Sequence, residues 1–475
     1  MSRERIKTFI LSILVIMSLL LTQKIWFHSP FQSTASDSVN INDAVNLEEM
    51  RNDITSPIRV LLGFGGGRNL NSYYSVLALN DLTDAWRLSK AVLESFFNGD
   101  PEVTPINIET YYESIGSRFI ELEFGDSIST VLVSSVFNSM DSKIVRNIRE
   151  IKKIMIPANN TGIIYIKGKD SNYFHVKLDN YSNDILVSYI NEYDKKDFVK
   201  YFDLLSYVDN FTVMPINLSI PLPQIYVESE IDIDNETQLN NKSKIFFKNI
   251  DFIKTIKETT GSVVYLYGYG EKSLRINNRG RLEYREEFDP VSNTNVKKAL
   301  ETALLYMELQ GDMSDNLYLR EIRDIEYKQR KGLLFGFGYH LEGYPVHTNT
   351  SGMNHAIEIE VVGNRIRGYR TFIRRKMNIP AITKLEPIIS PHKIIDNNLE
   401  LIVQNYIEAE GNPQSIESIK TEVIKSISEV QLVYFDSINE AKQQLLEPSW
   451  RIRVKNHVYY FDIYKGRLLD SSLLN

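Results

Sequence analysis

Three histidines, His340, His347 and His355, fall within sixteen residues, and Glu358 and Glu360 follow two apart. Three imidazoles on neighbouring strands could converge on a zinc ion if partners behind them fixed their orientation. They fit equally well on a hairpin that turns its imidazoles to solvent. Carboxylates two apart share one face of a strand. They could act as an acid–base pair, though a solvated strand face is the commoner use. Ser390-Pro391-His392-Lys393 matches the Ser-x-x-Lys of penicillin-recognising enzymes, but the accompanying Lys-Thr-Gly is absent. Ser390 reads better as the opening of a helix. Gly63-Phe64-Gly65-Gly66-Gly67-Arg68 could cradle a phosphate only with a lysine–hydroxyl pair or an acidic partner in place. Neither is found, so it reads as a turn. Arg365, Arg367, Arg370, Arg374, Arg375 and Lys376 form a basic cluster. It could contact anionic wall polymer, lipid headgroups or an acidic partner, or it could guard a strand edge.

These residues point to no catalytic residue, no metal and no cofactor. Composition narrows the choice further. The chain has 475 residues, no cysteine and a net charge of −7. Without cysteine there are no disulfides, thiolate metal sites or thiol nucleophiles. The first 27 residues sum to +3, so the remainder carries −10, which argues against nucleic acid as a partner.

The stretch that organises the chain is residues 9–22, FILSILVIMSLLLT, within an uncharged run from Lys7 to Lys24. It is short for a membrane span. Arg3, Arg5 and Lys7 precede it and Trp26 follows, a pattern that predicts an N-terminus in the cytoplasm and the bulk of the chain outside. A cleaved signal peptide shares these features, but the nearest small-residue site, Thr34-Ala35-Ser36, lies about twelve residues beyond the apolar run. Leu11, Leu14, Ser18, Leu21 and Thr22 fall on one helical face, a candidate contact for a partner helix in the membrane.

The periodicities beyond it predict an α+β chain: a transmembrane helix, then three α+β domains with antiparallel sheets, the last two with related orders of helix and strand. The boundaries read as 1–27 anchor, 28–56 linker, 57–225 first domain, 226–244 acidic loop, 245–380 middle domain and 381–475 C-terminal domain. Helices are predicted at 82–97, 142–155, 245–258, 294–310, 394–410 and 415–429. Strands are predicted at 58–64, 118–124, 162–167, 173–178, 185–190, 263–269, 273–276, 282–285, 333–340, 345–347, 356–361, 365–371, 430–435, 450–455 and 457–464.

Several of these segments resemble the YycH family, the membrane-anchored regulators of the WalK (YycG) sensor-kinase system of Gram-positive bacteria. The anchor with Trp26 is one. Others are Val264-Tyr265-Leu266-Tyr267 leading to Arg275 through Tyr284, and Gly343-Tyr344-Pro345-Val346 followed by Ile357-Glu358-Ile359-Glu360. The last is Glu447-Pro448-Ser449-Trp450 with its closing hairpin. The Gly65-Gly66-Gly67 loop and the acidic 228–243 stretch depart from the family pattern. The resemblance implies a non-enzymatic extracytoplasmic regulator controlling cell-wall metabolism. Its implied partners are a WalK-type sensor histidine kinase, a YycI-like regulatory protein and the membrane. The alternative is an anchored cell-wall polymer-binding protein or enzyme.

Overall fold

The computed structural model describes residues 14, 15, 17, 18, 47–66, 72–159, 162–169, 172–179, 181–203, 211–218, 222–247, 250–348, 353–383, 386–410, 416–437 and 443–473. Leu14, Val15, Met17 and Ser18 are helical and exposed. The rest of the predicted span lies outside the described residues. Among the described residues no helix is long and apolar enough to cross a membrane.

The predicted linker ends in a helix, α1 (Leu47–Ile54), which buries Arg51 and Ile54. Leu47, Met50 and Ile54 recur at helical spacing, and all three pack on the main core. The abundance of polar residues around them hides this periodicity in the sequence.

The first sheet contains β1 (Arg59–Phe64), β2 (Tyr74–Val76), β3 (Glu102–Ile106), β4 (Arg118–Ser129) and β5 (Glu150–Pro157). It continues with β6 (Ile163–Lys167), β7 (Tyr173–Lys177), β8 (Tyr201–Asp203) and β9 (Val213–Pro215). Their spatial order is β3-β7-β6-β5-β4-β1-β2-β8-β9. Helix α2 (Leu79–Asn98) buries Leu82, Ala85, Trp86, Ser89, Val92, Leu93, Phe96 and Phe97, the face its apolar spacing predicts. Short helices α3 (Ile108–Glu113), α4 (Thr130–Ser135) and α5 (Lys143–Asn147) link the strands, and α6 (Asp184–Tyr193) follows β7.

Two expectations fail here. The helix predicted over 142–155 is instead α5 and then β5. Ile144, Ile148 and Ile151 are buried as expected, but from Ile148 onward the backbone is extended. Isoleucines there fit a pleated surface better than a helix. The strand predicted at 185–190 is helix α6, in which Leu186, Ile190 and Tyr193 are buried at helical spacing.

The second sheet begins with β10 (Ile225–Ser229), after which comes helix α7 (Glu236–Phe246). Strands β11 (Ile253–Lys257), β12 (Val263–Tyr267), β13 (Lys272–Ile276) and β14 (Leu282–Glu286) lead to helix α8 (Val296–Gln310). Next come β15 (Leu317–Tyr327), β16 (Arg330–Leu341), β17 (Tyr344–Thr348), β18 (Ile357–Val362), β19 (Arg365–Thr371) and β20 (Arg374–Lys376). Helices α9 (Pro391–Glu410) and α10 (Ile416–Lys425) precede β21 (Ile427–Asp436), β22 (Gln443–Val454), β23 (His457–Asp462) and β24 (Leu468–Leu473). Gly311, at φ 73°, ends α8 as its sequence predicts, and Asn295 caps the start one residue past the expected position.

The predicted acidic loop at 226–244 does not exist as a loop. Its first residues lie in β10, hydrogen-bonded between β20 and β22. Its last residues lie in α7, where the Asn235 side chain accepts from the Gln238 N–H and Leu239, Ser243 and Phe246 are buried. The helix predicted at 245–258 is therefore displaced toward the N-terminus, and 253–257 is strand β11. The middle and C-terminal units share one sheet. Parallel pairing of β17 with β21, Val346 against Tyr434 and His347 against Phe435, crosses the predicted 380/381 boundary.

A charged seam between the two sheets as candidate functional site

Strands β4 and β15 meet where the two sheets pack. At Gly125 the chains come so close that a Cβ would fall 2.8 Å from the Arg320 carbonyl carbon. A half-enclosed cleft opens beside this contact. Its walls are β1, β4 and β5 on one side and β15, β16, β17, β21 and β22 on the other. Its space is about 40 Å³. That admits a few water molecules at roughly 10–15 Å³ each, well short of the several hundred Å³ of a metabolite site.

Charge dominates the lining. Arg59 pairs with Glu123 at 3.4 Å, and Arg453 with Asp126 at 3.5 Å. Arg451, itself buried, pairs with Glu429. Burial alone would raise the Glu429 carboxyl, but Arg451, helped by Arg453 and Arg320, outweighs it and holds the group at about 2. Burial lowers the Lys152 ammonium, with Glu123 opposing.

The three histidines come to this region without converging on a point. Burial pushes His340 down to about 4, and its ring lies 4.6 Å from that of Tyr318. His347 is 3 % exposed, and its Nδ1 lies 3.1 Å from the Arg320 guanidinium and 3.3 Å from the Tyr460 hydroxyl. Burial, then the Arg320 and Arg451 charges, hold His347 well below the ordinary imidazole range. Nε2 of His355 lies 2.8 Å from Glu321. Two of the rings are thus already engaged, one of them by a cation. Among the described residues no group of three histidine or carboxylate side chains could hold a metal ion.

Glu358 and Glu360 do share one strand face, but they face arginines rather than water. Arg370 pairs with Glu358 at 2.8 Å and Glu360 at 3.3 Å, and Arg367 pairs with Glu360 at 2.5 Å. Glu358 and Arg370 are direct cross-strand partners of the β18–β19 hairpin. Arg365 pairs with Glu286 at 2.6 Å and stacks on Phe288. Arg374 pairs with Asp436 at 3.0 Å, both fully buried. Arg375 pairs with Glu228 at 2.9 Å, and Lys376 with Glu342. The basic cluster is therefore neutralised largely inside the fold, and only Arg375 and Lys376 lie exposed. The hairpin spacing of acids and bases holds this pairing legibly, but only once register is known.

The hydroxyl of Ser390 accepts from Lys393 N at 3.4 Å at the start of α9, as a helix opening rather than a nucleophile. A Ser-Asp-Asn triplet, Ser314-Asp315-Asn316, does occur, in the exposed turn before β15. Gly65 and Gly66 adopt positive φ, while Gly67 and Arg68 lie outside the described residues. Of the membrane face, Leu14 and Ser18 are helical. Leu11, Leu21 and Thr22 lie outside the described residues.

An antiparallel-rich α+β chain of two packed sheets, with charge concentrated at their junction, defines the structural class. Residues 4–184 match the family model of the YycH protein, N-terminal domain. The crystal structure of YycH from Bacillus subtilis shares the fold at TM-score 0.54 and 13 % identity, over 88 % of this chain and 97 % of that one. Over residues 4–184 the chain is therefore similar to the YycH family, and over most of its length it shares the fold of the Bacillus subtilis protein. An uncharacterized protein from Eubacterium rectale ATCC 33656 is matched at TM-score 0.37 and 13 % identity, over 57 % of this chain and 93 % of that one. The Bacillus megaterium YpeB C-terminal domain is matched at TM-score 0.24 and 12 % identity, over 51 % of this chain and 98 % of that one. No curated protein matches in sequence.

Proposed function

We propose that this chain is a membrane-anchored, extracytoplasmic regulator of a WalK-type sensor histidine kinase, acting by contact rather than catalysis. The observation that carries the reading is the family match over residues 4–184, which takes in Arg5, Lys7 and the apolar stretch together with β1 to β7 of the first sheet. The chemistry of the cleft supports the same reading. Glu429 is held ionised by Arg451, and the two histidines of the cleft, His340 and His347, are held neutral by burial, so these groups are poorly set for proton transfer near neutral pH. A rigid ectodomain can bias a kinase only through contacts that differ between the kinase's two states. Its partners are then the kinase, a YycI-like regulatory protein and the membrane, and its role lies in the control of cell-wall metabolism.

The test is co-purification from membranes with a WalK-type kinase, comparing the full chain with residues 30–475, alongside kinase autophosphorylation. The full chain is expected to co-purify and to alter autophosphorylation. A chain that neither co-purifies nor changes kinase output would overturn the proposal.

A further inference from the structure

The seam carries more positive charge than its own carboxylates can neutralise. Three of its cations have acidic partners: Arg59 with Glu123, Arg453 with Asp126 and Arg451 with Glu429. Glu123 is shared further, because Lys153 also reaches it at 3.6 Å. Lys152 and Arg320 line the same cleft, and among the described residues neither has a carboxylate within ion-pair reach. Among the described residues Arg320 has only the neutral imidazole of His347 within hydrogen-bond reach, at 3.1 Å. The Nε–H of Arg451, a side chain 3 % exposed, finds no hydrogen-bond acceptor among the described residues.

Such an arrangement is costly as it stands. A buried donor without an acceptor loses its hydration and gains nothing in return, and partly desolvated cations repel one another more strongly than in water. Burial already lowers the Lys152 ammonium. A small anion would answer all three deficits together. The space of about 40 Å³ suits a group the size of a few waters.

We propose that the seam is a binding site for a small oxyanion of carboxylate or phosphate chemistry. It would be held between Lys152 of the first sheet and Arg320 of the second, with the Arg451 Nε–H as a further donor. Both partners of a planar or tetrahedral oxyanion are present: a point-charge ammonium and a guanidinium fork. Because the two cations belong to different sheets, the ligand ties the sheets together across their junction. The inference rests on the seam alone and stands whether or not the kinase reading holds.

The experiment is a thermal-unfolding titration of the full chain in detergent. The probes are sodium phosphate and sodium acetate, with sodium chloride at matched ionic strength as reference. A ligand bound only by the folded state raises Tm saturably, and this is expected for phosphate, for acetate or for both. A response to phosphate alone assigns phosphate chemistry, and a response to acetate assigns a carboxylate ligand. Lys152→Gln is expected to weaken the response about tenfold, the size of one charge-assisted contact. Arg320→Gln is expected to abolish it, and Lys254→Gln on the exposed edge strand to leave it intact. Lys152 makes no hydrogen bond or ion pair among the described residues, so Lys152→Gln remains decisive even if Arg320→Gln fails to fold. The absence of a saturable response in the native chain overturns the site. So does a response to chloride of equal strength, or one that survives Lys152→Gln unchanged.

Discussion

The Cα of Gly125 lies against the Arg320 carbonyl so closely that no side chain fits between them; a Cβ would come within 3.0 Å of the Arg320 Cα as well. Both atoms are backbone, so neither can swing aside. Gly125→Ala is expected to push β4 away from β15, destabilising the chain by about 1–3 kcal/mol, the usual cost of overpacking. Thermal unfolding checks this, and a melting temperature equal to that of the native chain would show that the sheets are not in fixed contact. Since the strain opens the seam, the charged cleft should become more accessible to hydrogen exchange in the same variant.

Arg374 and Asp436 form an ion pair with no exposed side-chain surface on either partner. The Arg374 guanidinium also reaches Gln444 at 3.4 Å and lies over the Phe372 ring. Removing one partner takes the ion-pair counter-charge away from a fully buried group. Asp436→Ala is therefore expected to cost about 3–5 kcal/mol in denaturant unfolding. The double replacement Arg374→Met with Asp436→Leu should recover much of that loss. A double variant no more stable than the single one would contradict the argument from desolvation.

Stability should fall on the acid side in two stages. His340 has its imidazole lowered to about 4 by burial, against an ordinary 6.5. Below pH about 6.5 the unfolded chain takes up a proton that the native ring refuses, so stability is lost down to about pH 4. His340 contributes on the order of 3 kcal/mol to that loss. Glu429 is held at about 2, so its contribution persists above the ordinary carboxylate value of 4.5 and is lost as pH falls from there toward 2. Replacing His340 by Phe should make the loss between pH 6.5 and 4 shallower, leaving the part that His347, also held low by burial, contributes there, and should leave the lower stage unchanged. Unfolding free energies measured across pH 3–8 for both chains make the comparison.

The proposed membrane contact predicts a different kind of result. Replacing residues 8–23 by an unrelated leucine-rich span keeps an apolar stretch but removes the face of Leu11, Leu14, Ser18, Leu21 and Thr22. Each hydroxyl contact across a helix pair is typically worth about 0.6 kcal/mol. Kinase output is expected to change while the protein stays in the membrane fraction. Output that survives the swap yet disappears when 57–475 is deleted would place the contact in the ectodomain.

Elements with strong local periodicity are legible in the sequence. Helix α2 shows the apolar face that its spacing of Leu82 through Phe97 predicts, and β12, β13 and β14 lie where alternation and the Asn277–Gly280 turn put them. Helix α7 escapes sequence reading because its buried face is only Leu239, Ser243 and Phe246 within polar surroundings. Strand β10 escapes it because its partners lie about 150 and 220 residues away, in β20 and β22. The charged seam is illegible for the same reason. Glu123, Arg320, Glu429 and Arg451 come from four different strands, and no local pattern marks any of them as members of one site. The arginines at 365–375 are visible as a cluster, but only strand register shows that Glu358 and Glu360 neutralise their neighbours.

Strand β10 also sets the order in which the chain can become whole. Ile225 pairs with Leu446, and Val227 with both Gln444 and Lys376. As the chain is made, the first sheet closes from residues before 216, without waiting for the remainder to be synthesised. The second sheet cannot finish until residue 446 has appeared, so β10 has no partner strand until β20 is made and keeps one edge open until β22 follows. Distant pairings of this kind are slow because the intervening loop must be closed before any bond rewards it. A nascent chain stalled between 230 and 440 would therefore hold one finished half and one exposed strand edge, the state most open to a chaperone or a protease.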